Sequence, residues 1–371
     1  MTTPKLRLAI LVALLPPEHH GGAELQADRM ARELAARGHD VHVFARRQGA
    51  RRGRERRDGV SIHRRPVIPI PGLRPLGEIA IGAAQVAHAR PDVILAYMTF
   101  NGGVIGAAAS ALTGAPCIVW QREEAEGLLY APPWEARLTP ALHRRFVSIW
   151  VQAAAFKESL RREYAAAGAA ERWSRIESRV RVFGNGVDIG TVRADAIPPR
   201  RFLFIGRLVE QKDMPTLLAA LRRTAGAELW IAGTGPLAAQ LARDAADLPV
   251  RFLGEVPHAQ LPELFRDCRA LVLCSTHEGV PNVVLEALAH GRPVIATPVG
   301  AIPELIQNDV NGRIVPVRDP EAFAAAMRDL CDDAVWRRLA PASQSSVQKY
   351  SWPALVDRVE AELVRIAGGE A

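Results

Sequence analysis

The stretch Glu278-Gly279-Val280-Pro281-Asn282-Val283-Val284-Leu285-Glu286 runs on through Ala287-Leu288-Ala289-His290-Gly291-Arg292 into Pro293-Val294-Ile295-Ala296-Thr297. The apolar run Ala270-Leu271-Val272-Leu273-Cys274 precedes it, so a strand leads into Glu278, and Pro281 is expected to open a helix. That helix leads into Gly291 and a second buried strand, the cycle that builds a parallel sheet with crossover helices. The same stretch sets two carboxylates eight positions apart, Glu278 on the turn and Glu286 about one turn inside the helix. A helix start offers amides to phosphate. Carboxylates cannot hold phosphate but accept hydrogen bonds from hydroxyls. The ligand that suits both is a phosphate flanked by hydroxyl-bearing groups, as in a nucleotide sugar.

The chain of 371 residues is 49% hydrophobic, enough for two domains that each bury a core. No apolar run reaches the roughly twenty residues of a membrane helix, and Leu6 to Leu15 lacks a signal-peptide cleavage site. A cytoplasmic protein is expected, with peripheral contact at the inner face of a membrane as an open alternative. Cys117, Cys268, Cys274 and Cys331 form no CxxC pair and suggest neither zinc nor a disulfide framework. The net charge of +7 rests on arginine, the lysines being Lys5, Lys157, Lys212 and Lys349. Arg46, Arg47, Arg51, Arg52, Arg54, Arg56 and Arg57 crowd into an expected loop. Two readings stay open for it: contact with anionic lipid, or a solvated surface. No nucleic-acid-binding signature accompanies the charge.

Leu6–Leu14, Val41–Phe44, Val60–His63, Asp92–Tyr97, Cys117–Trp120, Val147–Val151 and Val180–Phe183 read as strands, with helices at Ala23–Arg37, Leu76–Arg90, Gly103–Leu112 and Ala153–Ala167. This is a doubly wound sheet. After a linker at Asp195–Pro199 the cycle restarts, with strands at Arg201–Ile205, Glu228–Ala232, Val250–Leu253, Ala270–Cys274, Pro293–Ala296 and Gly312–Val315. The tail Trp352–Ile366 is amphipathic, with Leu355, Val359, Leu363 and Ile366 on one face. Ligands of such sheets bind beyond the carboxyl ends of the strands. Arg207 and Lys212 follow a strand and Gly206, and supply the cations a leaving diphosphate requires.

The Glu278–Glu286 pattern resembles the donor-site signature of the retaining glycosyltransferases of family four, glycosyl transferases group 1, whose architecture is called GT-B. Further pieces fall in the family's order: Gly21-Gly22-Ala23-Glu24, Gly184-Asn185-Gly186-Val187-Asp188, Phe204-Ile205-Gly206-Arg207-Leu208 with Lys212, and Phe252-Leu253-Gly254-Glu255-Val256. The resemblance implies an α/β fold of two doubly wound Rossmann-like domains facing a central cleft. The expected parts are an acceptor-side domain at 1–194, a donor-binding domain at 195–350, and a helix at 351–371 that packs back on the first.

It further implies a retaining transferase that moves a sugar from a nucleoside diphosphate sugar, UDP- or GDP-linked, to a glycan, lipid-linked or small-molecule acceptor. No metal and no other cofactor is expected. Arg207, Lys212 and Glu278 match the catalytic positions. Gly21, Gly22, Gly206, Gly254, Val256, Gly279, Val280, Asn282 and Glu286 match donor-binding ones. His20, Asn101, Arg122 and Glu123 are acceptor candidates from their place after strands. The family's histidine at the end of the Cys117–Trp120 strand is missing, and Arg122 or Glu123 stands near its place. The alternatives are a catalytically inactive nucleotide-sugar-binding partner subunit and a nucleotide-sugar epimerase.

Overall fold

The computed structural model describes residues 4–16, 22–47, 53–66, 74–122, 133–190 and 197–369. The chain divides into two compact units, 1–185 with 355–371, and 186–354. The division falls upstream of the expected Asp195–Pro199 linker. Val187 joins the second unit by a bridge to Ser351, with Val187 N donating to Tyr350 O at 2.9 Å.

The first unit carries β1 (Arg7–Leu11), β2 (Asp40–Arg46), β3 (Arg54–Arg57), β4 (Val60–Arg65), β5 (Val93–Tyr97), β6 (Cys117–Trp120), β7 (Ser148–Val151) and β8 (Val180–Val182). They form one sheet in the order β3-β4-β2-β1-β5-β6-β7-β8. All pairings are parallel except β3 with β4. Contiguous apolar runs such as Val93-Ile94-Leu95-Ala96-Tyr97 are buried on both faces, as strands covered by helices on both sides must be.

The arginine-rich segment is not simply a loop. Arg54–Arg57 forms an antiparallel edge strand, joined to β4 by Asp58 and Gly59, both at positive φ (49° and 81°). Two consecutive left-handed residues match the twist of the strands they connect, which favours an Asp-Gly turn over an open loop. Some of the charge is also consumed internally. Arg57 Nη2 lies 2.6 Å from Asp28 Oδ1, and Arg46 Nη2 lies 3.0 Å from Glu78 Oε2.

The helix Trp352–Ala367 buries Leu355, Val359, Leu363 and Ile366. Within the first unit its Glu360 meets Arg37 and His39, at 2.6 and 2.9 Å. Among the described residues no helix is long and apolar enough to cross a membrane.

The second unit carries β9 (Arg201–Ile205), β10 (Glu228–Ala232), β11 (Val250–Gly254), β12 (Ala270–Leu273), β13 (Val294–Ala296) and β14 (Gly312–Ile314), in the all-parallel order β11-β10-β9-β12-β13-β14. Strand order reverses between β9 and β12, so the crevice outside their carboxyl ends is the natural ligand position of this sheet. Phe202, Phe204, Leu229, Ile231, Leu271 and Leu273 fill the core beneath it.

Candidate functional site

The switch point gathers the sequence-predicted donor residues of the second unit. After β9 the chain passes Gly206 and the exposed Arg207 into a short 3-10 turn, Glu210–Lys212. After β12 it passes Ser275 and Thr276 to Glu278. The two segments are laced together. Thr276 N donates to Gln211 O at 2.8 Å, Gln211 Nε2 to His277 O at 2.6 Å, and Cys274 Sγ to Lys212 O at 3.0 Å. This lacing sets Lys212 Nζ 2.5 Å from Glu278 Oε1, an oxygen that also accepts from Ser275 Oγ at 2.5 Å. The lysine side chain is 16% exposed and the glutamate 8%. The Arg207 side chain is exposed and has no hydrogen-bond or ion-pair partner among the described residues.

Pro281 stands just outside the next helix rather than opening it. The helix runs Asn282–Ala289, and Pro281 caps it in an extended conformation, φ −71° and ψ 108°. Val280 and Asn282 are half-buried beside it. A Cβ placed on Gly279 would meet nothing within 4 Å, so the protein leaves that face of the turn open. The opposite support is tight. Gly300, at φ +57°, lies so close that a Cβ there would fall 2.1 Å from Glu278 O, and Ala301 N donates to Gly279 O at 3.0 Å.

Glu286 Oε1 lies 3.1 Å from His258 Nε2. Hydrogen bonding to this carboxylate raises the His258 pKa against the opposing effect of burial, and the charges of Glu286 and Asp188 add to the rise. Gly254 ends β11 at φ +68° with open space around it, and Val256 follows half-buried. Gly206, Gly233 and Gly254 stitch the strand ends together: Gly206 N donates to Ala232 O and Gly233 N to Gly254 O, at 3.0 and 2.7 Å. A Cβ on Gly233 would strike Gly206 O at 1.9 Å, so this approach requires glycine.

Sequence reasoning missed Ser275, His258 and Gly300. Ser275 had a signal, being the first polar residue after the Ala270–Cys274 run. His258 and Gly300 had none, because only the fold brings them to the two glutamates.

In the first unit, Gly22 begins the helix Gly22–Ala36. His20, Gly21 and Glu123 lie outside the described residues. Asn101 is exposed in a π-helical turn, Met98–Gly103, that follows β5. Arg122 is 7% exposed. Its Nη2 donates to Asn185 Oδ1 at 2.7 Å, while Nε and Nη1 have no hydrogen-bond partner among the described residues. Its guanidinium lies 4.9 Å from the Trp120 ring centroid and 5.7 Å from that of Tyr97. Burial pulls its pKa down to about 10, partly offset by Tyr97 and by Glu24 of the Gly21–Glu24 motif. His143, which sequence reading did not single out, is fully buried between Thr99, Gln121 and Tyr164. Burial lowers its pKa to about 3, so the imidazole is neutral and structural.

Two doubly wound sheets in one chain, the first parallel but for its edge strand and the second wholly parallel, are the architecture of a GT-B protein. Solved structures share this fold. Anabaena HepE crystallised with UDP superposes with a TM-score of 0.78 at 20% identity, over 96% of this chain and 99% of that one. Sucrose-phosphate synthase of Thermosynechococcus elongatus gives 0.80 at 20% identity, over 99% and 100%. The family profile "Glycosyl transferases group 1" matches residues 199–333, and "Glycosyl transferase 4-like domain" matches residues 21–186. The chain belongs to the group 1 glycosyltransferase family.

Among curated relatives, an uncharacterized glycosyltransferase of Methanocaldococcus jannaschii is 31% identical over 214 residues, 51% of this chain and 54% of that protein. A glycogen synthase of Mycobacterium tuberculosis is 32% identical over 189 residues, 47% of this chain and 46% of that protein. A phosphatidyl-myo-inositol mannosyltransferase of Mycolicibacterium smegmatis is 34% identical over 200 residues, 49% and 50%. The matched region spans about half the length of these curated relatives.

Proposed function

We propose that the protein is a retaining, metal-independent glycosyltransferase whose second unit binds a nucleoside diphosphate sugar, UDP- or GDP-linked. The observation that carries this reading is the Lys212–Glu278 pair at the β9/β12 switch point, with the open Gly279 turn next to Glu278 and an exposed Arg207 following β9. The HepE structures crystallised with UDP and with UDP-glucose support a uridine nucleotide as the first ligand to test.

In this reading Arg207 and Lys212 receive the diphosphate, together with amides of the Gly279–Asn282 turn. Glu286 accepts the ribose hydroxyls, and the backbone at Gly254 and Val256 meets the base. Glu278 accepts a hydroxyl of the transferred sugar. In the transfer, the acceptor oxygen bonds to the anomeric carbon as the bond from that carbon to the diphosphate oxygen breaks. The electron pair stays on the diphosphate, which takes the acceptor proton from the same face. Charge therefore grows on the leaving group, and the two cations stabilise it most in the transition state.

Calorimetric titration in the presence of a chelator, against UDP, GDP, ADP and their sugar conjugates, tests the reading. Saturable binding of one nucleotide, lost in Glu286→Ala, is expected. A folded protein that binds none of them overturns it. The anomeric configuration of the product, read by proton NMR, tests retention.

A further inference from the structure

The first unit holds a cavity of about 400 Å³ at the carboxyl edge of its sheet. Its walls come from both sides of that sheet's own switch point. Ala13 follows β1, Arg46 and Arg65 end β2 and β4, and Asn101 sits in the turn after β5. This is the crevice where open parallel sheets bind ligands.

Most of the lining is apolar. Ile79, Val104, Ile105 and Leu142 contribute to it, as does Leu138, a leucine left 48% exposed. Against these side chains stand, among the described residues, the charges of Arg46, Arg65 and Glu78. Arg46 and Glu78 pair with each other at 3.0 Å. Arg65 is only 4% exposed, and its Nε and Nη1, like Arg46 Nε, have no hydrogen-bond partner among the described residues. Burial lowers the Arg65 pKa to about 10, Glu78 opposing this and Arg46 adding to it, so the guanidinium remains charged at neutral pH. A buried cation with unmade hydrogen bonds is costly unless an anion completes it.

Among the described lining residues two guanidiniums stand against one carboxylate, a positive excess that suits an anion. The apolar wall asks for hydrocarbon, whereas exposed Asn101 suits a hydroxylated group. A phosphodiester has one arm for each. A fatty acid has no second arm and no hydroxyl to glycosylate.

We propose that this cavity is the acceptor subsite for an amphiphilic phosphodiester, with its phosphate on Arg65 and Arg46 and its hydrocarbon along Ile79, Leu138 and Leu142. The inference rests on reading the chain as a transferase.

The test titrates the full chain with dihexanoyl phosphatidylglycerol below its micelle-forming concentration, and separately with UDP. Glycerol phosphate supplies the anion without hydrocarbon, and dihexanoyl phosphatidylcholine the hydrocarbon without net charge. Saturable binding of phosphatidylglycerol is expected, about tenfold or more tighter than either control. Arg65→Gln and Leu138→Asp should each weaken it about tenfold while leaving UDP affinity within about twofold. Unchanged lipid affinity in Arg65→Gln overturns the proposal. Equal affinity for glycerol phosphate would make the site one for free phosphate, and equal affinity for phosphatidylcholine would remove the anion from the argument; either also overturns it. Should Arg65→Gln fail to fold, Leu138→Asp, which alters an exposed side chain, decides alone. Loss of UDP binding in the unaltered protein counts against the proposed function and leaves the lipid result to be read by itself.

Discussion

Lys212 Nζ donates to Glu278 Oε1 at 2.5 Å across the strand switch of the second unit. The site thus satisfies its own cation with its own carboxylate; in the proposed reading a diphosphate takes Lys212 over and the sugar takes Glu278. Lys212→Ala removes the proposed charge-assisted bond to phosphate and should weaken UDP binding about tenfold to a hundredfold. Glu278→Gln keeps the shape and releases the lysine's full charge. It should hold UDP as well as the unaltered protein, yet slow turnover of the sugar conjugate by about a hundredfold. Calorimetry and a donor-hydrolysis assay separate the two. If Glu278→Gln loses UDP as badly as Lys212→Ala, the carboxylate is not the sugar's partner.

Gly279 and Gly300 make opposite predictions although they touch. Alanine at Gly300 would place a methyl 2.1 Å from Glu278 O and 2.5 Å from Gly279 O, at a φ of +57° that already disfavours it. The turn must shift, at a cost of about 2 to 3 kcal/mol. Alanine at Gly279 meets no protein atom within 4 Å, so stability should change by less than about 1 kcal/mol. Nucleotide binding should nevertheless fall sharply, because the methyl points where phosphate is proposed to approach. Urea unfolding and UDP titration of both variants check this. A Gly279→Ala protein with normal UDP affinity would move the phosphates elsewhere.

Buried parallel strands were the easiest part to read. Cys117–Trp120, Arg201–Ile205 and Glu228–Ala232 have the expected bounds, and the other strands of the second unit agree within one residue at each end. Such strands are short apolar runs that stop where polar residues or glycine begin. Arg54-Glu55-Arg56-Arg57 has no apolar face, so alternation could not expose it as a strand; the Asp58-Gly59 turn was its only signal. The helix Pro133–His143 escaped notice with Pro140 inside it. The Lys212–Glu278 site was legible because each half is a local strand-to-turn motif. The Arg46–Arg65 cavity was not, since those residues meet only through the order β4-β2-β1-β5.

The contact between His258 and Glu286 predicts a pH effect on donor binding. The histidine's pKa is raised, chiefly by its hydrogen bond to Glu286. A raised histidine pKa means the pairing is fully present below the ordinary value and is lost as pH rises through the folded one. On the proposed role of Glu286 as the ribose ligand, imidazolium competes with ribose for it in mildly acid solution. UDP affinity should rise about threefold to tenfold between pH 6 and pH 8, and His258→Gln should flatten this relative to the unaltered protein. Comparison with the variant cancels the nucleotide's own ionisation. Parallel pH profiles for the two proteins would show that Glu286 is not the ribose ligand or that His258 does not gate it.

Glu360 ties the last helix to the turn after the first helix. Arg37 Nη1 donates to it at 2.6 Å, His39 Nε2 lies 2.9 Å away, and Arg37 also meets Asp357 at 2.6 Å. Burial alone would raise the Glu360 pKa, but the hydrogen bonds and charges of Arg37 and His39 outweigh it and hold the carboxyl below its usual range. A lowered carboxylate pKa contributes stability above the unfolded value, and this is lost as pH falls through the folded one. The contribution should therefore be constant from pH 6 to 8 and fade below about pH 4.5. Glu360→Gln should cost about 1 kcal/mol at pH 7, a modest value because Arg37 is partly solvated. Near pH 3.5 the gap between variant and unaltered protein should narrow, since the unfolded chain's carboxyl is then mostly protonated and its ionised form no longer favours the fold as strongly. Urea midpoints at the two pH values measure it. A gap of equal size at both would mean that the glutamate's shape, rather than its charge, holds the helix in place.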